Sequence, residues 1–409
     1  MSTIAARFFW IPSHFMTSTT VALVCGTITA LMAAYGLGRH MRLPHLPLIV
    51  KCAIPAVFAV LGFMHFVLLH VDAGFSRAFV IDTIPITALF VSMIYWFFNL
   101  TILSDVVLFI RWGIAKAQGQ TLPTRSVFMI ILSSIVGVMS FVFGLTSAWS
   151  ALSEPEQEVI TVEVKDLPKA LESLKVVQLS DLHASNLFPA TRTESVVAAV
   201  NALQPDLVLI TGDFADGTID TPRGYTSREK DLAPLKDLKA TYGVYGVSGN
   251  HEYIGGAYQK LKTLIQNQGV TLLENAHQRL TINGHTVHLV GVTDLAAYRS
   301  GETPHNLEAA LANIGSDDLR ILMDHQPRAA NIAADPKYGI DLQLSGHTHG
   351  GHTGIVGMLA SRANNSFLKG LYEIGDMTLY VNQGTGFWAG FPVRSGTWNE
   401  ITVIQFKAK

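Results

Sequence analysis

The sequence predicts two parts with different folds, an N-terminal α-helical membrane bundle of about four spans and a C-terminal α/β domain. Two observations lead to this prediction: the charges are unevenly distributed, and short apolar runs alternate with helix-like segments only in the second part. Residues 1–150 contain eight Lys or Arg and three Asp or Glu, whereas 49 of the 60 charges fall in residues 151–409. The first part therefore has a lipid-compatible composition, and the second has that of a soluble domain.

Composition also excludes several classes of protein. A chain of 409 residues is long enough for two domains. Its mean hydropathy of +0.32 is too apolar for an ordinary soluble protein. A net charge of -2 argues against a nucleic-acid binder, which usually carries a basic excess. The two cysteines, Cys25 and Cys52, lie in the first part, so the second part has neither a disulfide nor a thiolate metal site.

Four apolar segments have the length that a bilayer requires, which is about 20 residues for a helix. They cover residues 18–38, 48–71, 79–110 and 126–149. The third is long enough to be tilted or to continue beyond the lipid. The first is interpreted as an uncleaved anchor, because a signal peptide carries its positive charge before the apolar run and only Arg7 precedes this one.

The basic residues of the short loops predict the orientation of the chain. The first and third loops hold six Lys or Arg, and the N-terminal tail and second loop hold two. Cytoplasmic loops carry the excess of Lys and Arg, so the first and third loops are expected in the cytoplasm. With four spans, both termini and the C-terminal domain would then be periplasmic or extracellular. The expected location is a bacterial inner membrane.

The C-terminal domain is predicted to follow a linker. We expect a transmembrane helical domain at 1–150, a polar and acidic linker at 151–159, and a second domain at 160–409. In that domain, short apolar runs at 174–180, 206–211, 242–248, 319–323 and 340–345 read as buried strands. Further strands are predicted at 287–294 and 398–406, and helices at 189–203 and 256–267. Strands that alternate with helices indicate an α/β domain.

A polar turn rich in Asp and His follows each of the five apolar runs. The turns contain Asp181-Leu182-His183, Gly212-Asp213, Gly249-Asn250-His251-Glu252, Asp324-His325 and Gly346-His347-Thr348-His349-Gly350-Gly351. Ligands in open α/β sheets gather at the carboxyl ends of strands, so these turns are expected to meet. Carboxylate, imidazole and amide groups suit Mn, Fe or Zn. Two such ions, ~3.5–4 Å apart, clamp the attacking and leaving oxygens of a phosphoryl displacement.

These motifs resemble the calcineurin-like metallophosphoesterase family over roughly residues 160–409. GNHE followed by GHTHGG, each after an apolar strand, is the specific part of the pattern. The chain looks closest to a membrane-anchored branch of the family with N-terminal transmembrane helices. That branch is marked here by GDFADG at 212–217 and by a glycine-rich turn at 384–386 before Pro392-Val393-Arg394. The resemblance implies a four-layer α/β sandwich with two divalent metal ions, Mn, Zn or Fe, between its two sheets.

The resemblance also implies a role for each motif residue. One metal would be held by Asp181, His183 and His349, the other by Asn250, His325 and His347, and Asp213 would bridge them. His251 would be the catalytic residue that stabilises or protonates the leaving oxygen.

Four further residues have more than one interpretation. His352 stands where relatives often carry Gln, and it could contact substrate, tune metal affinity or do neither. Arg394 is a second candidate for substrate binding. Asp216 is interpreted as organising its own turn. Glu252 either orients a neighbouring histidine or begins the next helix.

The predicted function is hydrolysis of a phosphate ester or phosphoanhydride by metal-activated hydroxide. The membrane part suggests a lipid-linked or envelope substrate, with the lipid bilayer as partner and no nucleic acid. One alternative is a UDP-acyl-sugar pyrophosphohydrolase-like enzyme, but this needs a cytoplasmic domain. A non-enzymatic metal-binding regulatory membrane protein is a second alternative, against which His251 speaks because a structural site has no need for it. A transporter is a third, and the sequence suggests no polar cavity among the spans.

Overall fold

The computed structural model describes residues 18–41, 47–71, 74–121, 127–216, 219, 222–316 and 318–409. The chain divides into two units. The helical unit contains Thr19–Leu152 together with the short segment Gly390–Ser395. The α/β unit contains Ser153–Ala389 and Gly396–Lys409.

Four helices form the helical unit: α1 (Ser18–His40), α2 (Leu48–His70), α3 (Arg77–Ala117) and α4 (Val127–Leu152). By length and composition, each is able to cross a membrane. They match the four predicted spans. At 1.5 Å per residue, α3 is ~60 Å long, about twice the hydrocarbon core of a bilayer. This helix therefore extends beyond the lipid or is strongly tilted, as its apolar length predicts.

Small and polar side chains hold the helices together. The Cα of Gly144 on α4 packs against Met93 on α3, where a Cβ would lie 2.7 Å from the Met93 side chain. Such close approach is typical of membrane helices. His40, at the end of α1, connects α3 and α4. Its Nε2 lies 3.0 Å from the Thr101 hydroxyl on α3, and its Nδ1 lies 3.0 Å from the Ser133 hydroxyl on α4.

The segment Gly390–Ser395 packs on the same helices. The Phe391 ring lies edge-on to Tyr95, with centroids 5.2 Å apart. The hydroxyls of Ser147 and Ser395 are 2.9 Å apart. Helices α3 and α4 are thus covered here by residues that lie 300 and 248 positions further along the sequence, as in the contacts of Ser92 with Pro392 and of Ser147 with Ser395.

Two six-stranded sheets form the α/β unit. The first has the order β1-β12-β2-β3-β4-β5 and the second β10-β11-β9-β8-β7-β6. The strands are β1 (Glu156–Val164), β2 (Val176–Leu179), β3 (Leu207–Thr211), β4 (Val244–Val247), β5 (Thr271–Leu272), β6 (Ala276–Ile282), β7 (His285–Gly291), β8 (Leu319–Met323), β9 (Leu342–Ser345), β10 (Gly370–Ile374), β11 (Met377–Val381) and β12 (Glu400–Ala408). Strands β2 to β5 are parallel, and so are β7, β8, β9 and β11.

Helices cover the outer faces of both sheets. They are α5 (Ala190–Ala202), α6 (Pro222–Leu232), α7 (Tyr258–Asn267), α8 (Leu307–Ala310), α9 (Ala330–Ala333) and α10 (Gly354–Ala363). Successive side chains of a strand point to opposite faces of the sheet, so neighbouring residues pack into different layers of the core. Val176 packs into the core between the sheets, and Val177 packs towards α5 and α7. On the second sheet, Leu322 packs towards α8 and α9. The predicted fold class, a helical membrane bundle followed by a four-layer α/β sandwich, is confirmed.

The segment predicted as a linker contains regular structure. In residues 151–159, α4 continues to Leu152 and β1 begins at Glu156, so only Ser153–Pro155 separate them. Strand β1 lies at the edge of its sheet, paired only with β12. Of its acidic residues, Glu156 and Glu163 are exposed and Glu158 is partly exposed. Charged side chains on an edge strand protect it from further pairing, which explains why the sequence resembles a linker.

Candidate active site

The five predicted turns meet at one edge of the α/β unit. They follow β2, β3 and β4 of the first sheet and β8 and β9 of the second. Because these strands are parallel within each sheet, their carboxyl ends lie at the same edge. Residues more than 160 positions apart in the sequence are thereby brought into contact, as the 3.0 Å separation of His183 and His349 shows.

A first cluster contains Asp181, His183 and His349. The two imidazoles approach with their Nε2 atoms 3.0 Å apart. The Asp181 Oδ1 atom lies 3.5 Å from the His349 Nε2 and 3.7 Å from the His183 Nε2. All three side chains are buried. Three potential ligand atoms therefore converge on one point that water hardly reaches.

A second cluster contains Asn250, His325 and His347. The Asn250 Oδ1 lies 3.2 Å from the His325 Nε2 and 2.7 Å from the His347 Nδ1. These three residues come from the turns after β4, β8 and β9. The second cluster therefore draws on both sheets.

Asp213 contacts both clusters. Its Oδ2 lies 3.2 Å from the His325 Nε2 and 3.7 Å from the His183 Nε2. One carboxylate oxygen thus faces an imidazole of each cluster, the position that a ligand bridging two ions requires.

The donor atoms of both clusters fit divalent metal ions. Two ligand atoms that share an ion at the usual 2.0–2.2 Å from it lie about 3 Å apart, close to the separations in both clusters. The ligand atoms of Asp181, His183 and His349 lie within 4.8 Å of one another, as do those of Asp213, His325 and His347. Nitrogen and oxygen donors without sulfur suit Mn, Fe or Zn.

The backbone of the turns is strained where these residues lie. Five of the seven predicted ligands have a left-handed φ: Asp181 (52°), His183 (47°), Asp213 (54°), His347 (71°) and His349 (48°). This region is sparsely populated by residues other than glycine, and such strain is concentrated at functional sites. The strain is consistent with a site that is held in place for its chemistry.

The clusters have strongly coupled electrostatics. Burial alone would raise the pKa of Asp181, but His349, His183 and His325 outweigh it and hold that pKa well below its usual range. Burial likewise opposes the charged form of His325, and Asp213 nevertheless raises its pKa well above normal. Burial and the neighbouring His325 lower the pKa of His347 to about 3. Protonated imidazoles thus balance the carboxylates at the positions where a metal ion would do so.

His251 is held by a carboxylate that the sequence analysis assigned only to its own turn. The Asp216 Oδ1 lies 2.5 Å from the His251 Nδ1, and its Oδ2 lies 3.0 Å from the His183 Nδ1. Burial would lower the pKa of His251, but Asp216 and Asp213 raise it above its ordinary value. Asp216 therefore orients two histidines of the site. The signal in the sequence that could have revealed this role is the presence of a second carboxylate in the turn that contains Asp213.

Glu252 joins two of the turns through their backbones. Its carboxylate accepts hydrogen bonds from the backbone N–H groups of Asp213 (2.9 Å), Phe214 (2.8 Å) and Gly249 (2.6 Å). Burial, with a contribution from Asp213, raises its pKa to about 7. Neither sequence interpretation of Glu252 anticipates this role, because its partners lie in two different turns.

The two residues predicted to contact substrate have different positions. The His352 ring lies 5.2 Å from that of His349 and 4.9 Å from that of Phe387. His352 therefore lies beside the first cluster. Arg394 is fully buried in the segment Gly390–Ser395 of the helical unit. Trp388 lies near His251, with ring centroids 6.0 Å apart.

Comparisons with known proteins agree with this geometry. The profile of the calcineurin-like phosphoesterases matches residues 174–351. The "transmembrane protein with metallophosphoesterase domain" of Bos taurus is 32% identical over 308 residues, covering 73% of this chain and 67% of that protein. An uncharacterized metallophosphoesterase of Campylobacter jejuni is 30% identical over 325 residues, covering 79% of this chain and 82% of that protein. The chain spans about two thirds of the length of the vertebrate relatives it matches.

The fold and the clusters define a metallophosphoesterase domain joined to membrane helices. The chain belongs to the calcineurin-like metallophosphoesterase family, and its relatives include proteins named for the same combination of parts. Four apolar helices in the described residues make it a membrane protein.

Proposed function

We propose that the protein is a membrane-anchored phosphoesterase that hydrolyses a phosphate ester or phosphoanhydride with the aid of two divalent metal ions. The observation that carries the proposal is the Asp213 carboxylate, which faces a histidine of each cluster at 3.2 and 3.7 Å. Membership of the metallophosphoesterase family supports the same reaction class.

Each cluster would hold one ion. The first ion would bind Asp181, His183 and His349, the second would bind Asn250, His325 and His347, and Asp213 would contact both. Such a pair of ions polarises the phosphoryl group and makes hydroxide available from water near neutral pH. The buried site excludes competing water, which strengthens the electrostatic interactions of these side chains.

His251 would supply the proton for the leaving oxygen. Its Nδ1 is occupied by Asp216 at 2.5 Å, so the Nε2 is the ring nitrogen left for substrate. The neighbouring Asp216 and Asp213 raise the pKa of His251 despite its burial, which favours the protonated form of the ring. A positioned general acid contributes ~10²–10⁴-fold to rate. A purely structural metal site would have no use for His251 held by Asp216, and this disfavours a non-enzymatic role.

A lipid-linked or envelope phosphoester is the substrate class that we favour. The helices keep the domain attached to a bilayer, and an aromatic pair, Phe387 and Trp388, lies beside candidate site histidines. His352, whose ring lies 5.2 Å from that of His349, remains our candidate for substrate contact. The excess of Lys and Arg in the first and third loops supports a domain outside the cytoplasm.

The test is substrate consumption by purified full-length protein in detergent with Mn²⁺. Lipid extract and soluble phosphoester metabolites are supplied separately, and products are followed by mass spectrometry. Wild type should consume a lipid phosphoester, while Asp213→Ala and His251→Ala should not. Consumption of only soluble esters would refute the lipid preference. Equal inertness of all three proteins would refute the enzyme.

A further inference from the structure

Glu400 is a buried carboxylate without a cationic partner. It is the first residue of β12 and only 1% of its surface is exposed. In the part of the chain that the structure describes, it forms no ion pair. A buried charge is costly unless hydrogen bonds compensate it, so its partners should show what it is for.

Four donors surround the carboxylate. The Oε1 accepts from the Thr402 hydroxyl at 2.5 Å, from the Asn382 amide at 3.2 Å and from the Tyr380 hydroxyl. The Oε2 accepts from the Gln383 amide at 3.0 Å. Thr402 belongs to the first sheet, whereas Tyr380 lies on β11 of the second and the two amides directly follow it. Glu400 therefore connects the two sheets.

The same residues fix the turn after β11. The Gly384 N–H donates to the Asn382 Oδ1 at 2.6 Å, and the Gly384 carbonyl accepts from the Glu400 N–H at 2.9 Å. The Thr385 hydroxyl donates to the Glu400 carbonyl at 2.8 Å. The turn Gln383–Gly386, which we call the buttress turn, is thus attached to Glu400 through side chain and backbone.

The buttress turn contacts the first metal cluster directly. Its Gly386 N–H donates to the Asp181 carbonyl at 3.0 Å, and its Thr385 N–H donates to the Ser180 carbonyl at 2.7 Å. Gly384 has a φ of 96°, and a Cβ there would lie 2.9 Å from the His349 Nδ1 and 3.3 Å from the Asp181 Cβ. Only glycine fits between the turn and these two residues.

We propose that Glu400 is a positioning residue for the half of the metal centre formed by Asp181, His183 and His349. It acts through the buttress turn. The hydrogen bonds of Glu400 fix the position of this turn, and the turn then fixes the positions of Asp181 and His349. The proposal rests on the proposed metal centre. It predicts that loss of the Glu400 carboxylate weakens the first metal site more than the second. Among the described contacts, Asn250, His325 and His347 make no hydrogen bond with the buttress turn, and the second cluster is linked to it only indirectly, through the His347 N–H that donates to Asp181.

The experiment is a Mn²⁺ titration of metal-stripped, full-length protein in detergent, with free Mn²⁺ read by electron paramagnetic resonance. Glu400→Gln is compared in two backgrounds, His347→Ala, which retains the first site, and His349→Ala, which retains the second. We expect Glu400→Gln to weaken Mn²⁺ binding about 10-fold or more in the first background, the size typical of residues that support metal ligands. In the second background the weakening should be clearly smaller, because within the described residues the second cluster contacts Asp181 only through the hydrogen bonds from the His347 N–H. Glu274→Gln is the control, since Glu274 also accepts side-chain hydrogen bonds but lies elsewhere in the domain.

Equal weakening of both sites, or of neither, would overturn the proposal, as would a loss of thermal stability with unchanged Mn²⁺ binding. If Glu400→Gln does not fold, Tyr380→Phe decides, because it removes one donor to the Glu400 carboxylate and leaves the backbone hydrogen bonds of the buttress turn to Ser180 and Asp181 in place. It should weaken the same site. A wild type that binds two Mn²⁺ without hydrolysing any ester would refute the proposed function and leave this proposal standing.

Discussion

Asp216 illustrates how one side chain serves two parts of the site. Its two carboxylate oxygens contact different histidines, His251 at 2.5 Å and His183 at 3.0 Å. Each contact fixes which ring nitrogen carries the proton, and this leaves the opposite nitrogen for substrate or metal. The negative charge also favours the protonated form of both rings. In the proposed mechanism, Asp216 would therefore contribute both to metal binding and to proton donation.

Replacement of Asp216 by Asn should shift the alkaline limb of the kcat profile to lower pH. The raised pKa of His251 means that the acid form is lost as pH rises through that value. Without the charge of Asp216 the pKa falls, so the proton is lost at a lower pH. Measured at saturating Mn²⁺, kcat of Asp216→Asn should recover as the pH is lowered. Asp237→Asn, at an exposed position, is the control. An unchanged profile would rule out this role.

Metal affinity should fall as the pH is lowered. The metal-free site holds protons on His183 and His325, whose pKa values neighbouring carboxylates raise despite burial. A metal ion must displace those protons, so its apparent affinity should drop about tenfold per pH unit for each proton released. Mn²⁺ titrations at several pH values measure this. Affinity that does not vary with pH would mean that the imidazoles are not ligands.

Most of the proposed ligands could be located from the sequence because each directly follows an apolar strand. Asp181, Asp213 and Asn250 are of this kind. Glu252, Asp216 and Glu400 act through partners in other turns, so no local pattern marks them. Glu400 looks like an ordinary residue at the start of a strand until the two sheets are brought together. Tertiary contacts, which spacing does not encode, define these supporting roles.

At the scale of elements, glycines allow the turns to approach one another. A Cβ on Gly249 would lie 2.2 Å from the Asp213 Oδ1, and one on Gly346 would lie 1.9 Å from the Ser180 Oγ. Neither distance is possible for real atoms, so the turns after β4 and β9 can pass the ligands only with glycine there. The glycine of GNHE and the first glycine of GHTHGG are therefore required because a larger residue would clash with neighbouring side chains.

Gly249→Ala should displace Asp213 and release metal. Because the added methyl group occupies the position of the Asp213 carboxylate, both ions lose a shared ligand. We expect the Mn²⁺ content of purified protein to fall well below that of wild type while the protein remains folded by circular dichroism. Gly315→Ala, where a Cβ meets open space, should retain the wild-type content. Wild-type metal content in Gly249→Ala would contradict the proposed geometry.

Most strands that the sequence predicted are buried on both faces, where apolar runs are unbroken, although the buried strand β11 was not predicted. Strands β2, β3, β8 and β9 are of this type. Strand β1 and the hairpin of β10 and β11 were not predicted. Strand β1 and β10 lie at sheet edges and have alternating exposure, so their composition resembles that of loops.

At the scale of the whole molecule, the chain joins membrane helices to the α/β unit at more than one point. Only Ser153–Pro155 separate α4 from β1, and the chain returns to the helical unit at Gly390–Ser395. Because the α/β unit is continuous in sequence with four helices able to cross a membrane, a lipid-linked substrate is the class that we propose.

The proposed orientation can be tested with single cysteines. The native thiols, Cys25 and Cys52, are replaced by Ala, and a cysteine is placed either at the exposed Lys409 or at the exposed Gln118 after α3. With a domain outside the cytoplasm, a membrane-impermeant maleimide should label the Lys409→Cys variant in intact cells. The Gln118→Cys variant should react only after lysis. The reverse pattern would place the domain in the cytoplasm.

The most direct test of the central claim is the rate at which the purified full-length protein hydrolyses a chromogenic phosphodiester as Mn²⁺ is added back to metal-stripped protein. We expect no turnover without metal, turnover that rises as the second ion binds, and loss of turnover in Asp213→Ala. Protein that holds two ions yet hydrolyses neither diester nor monoester, or an Asp213→Ala variant as active as wild type, would contradict a two-metal phosphoesterase.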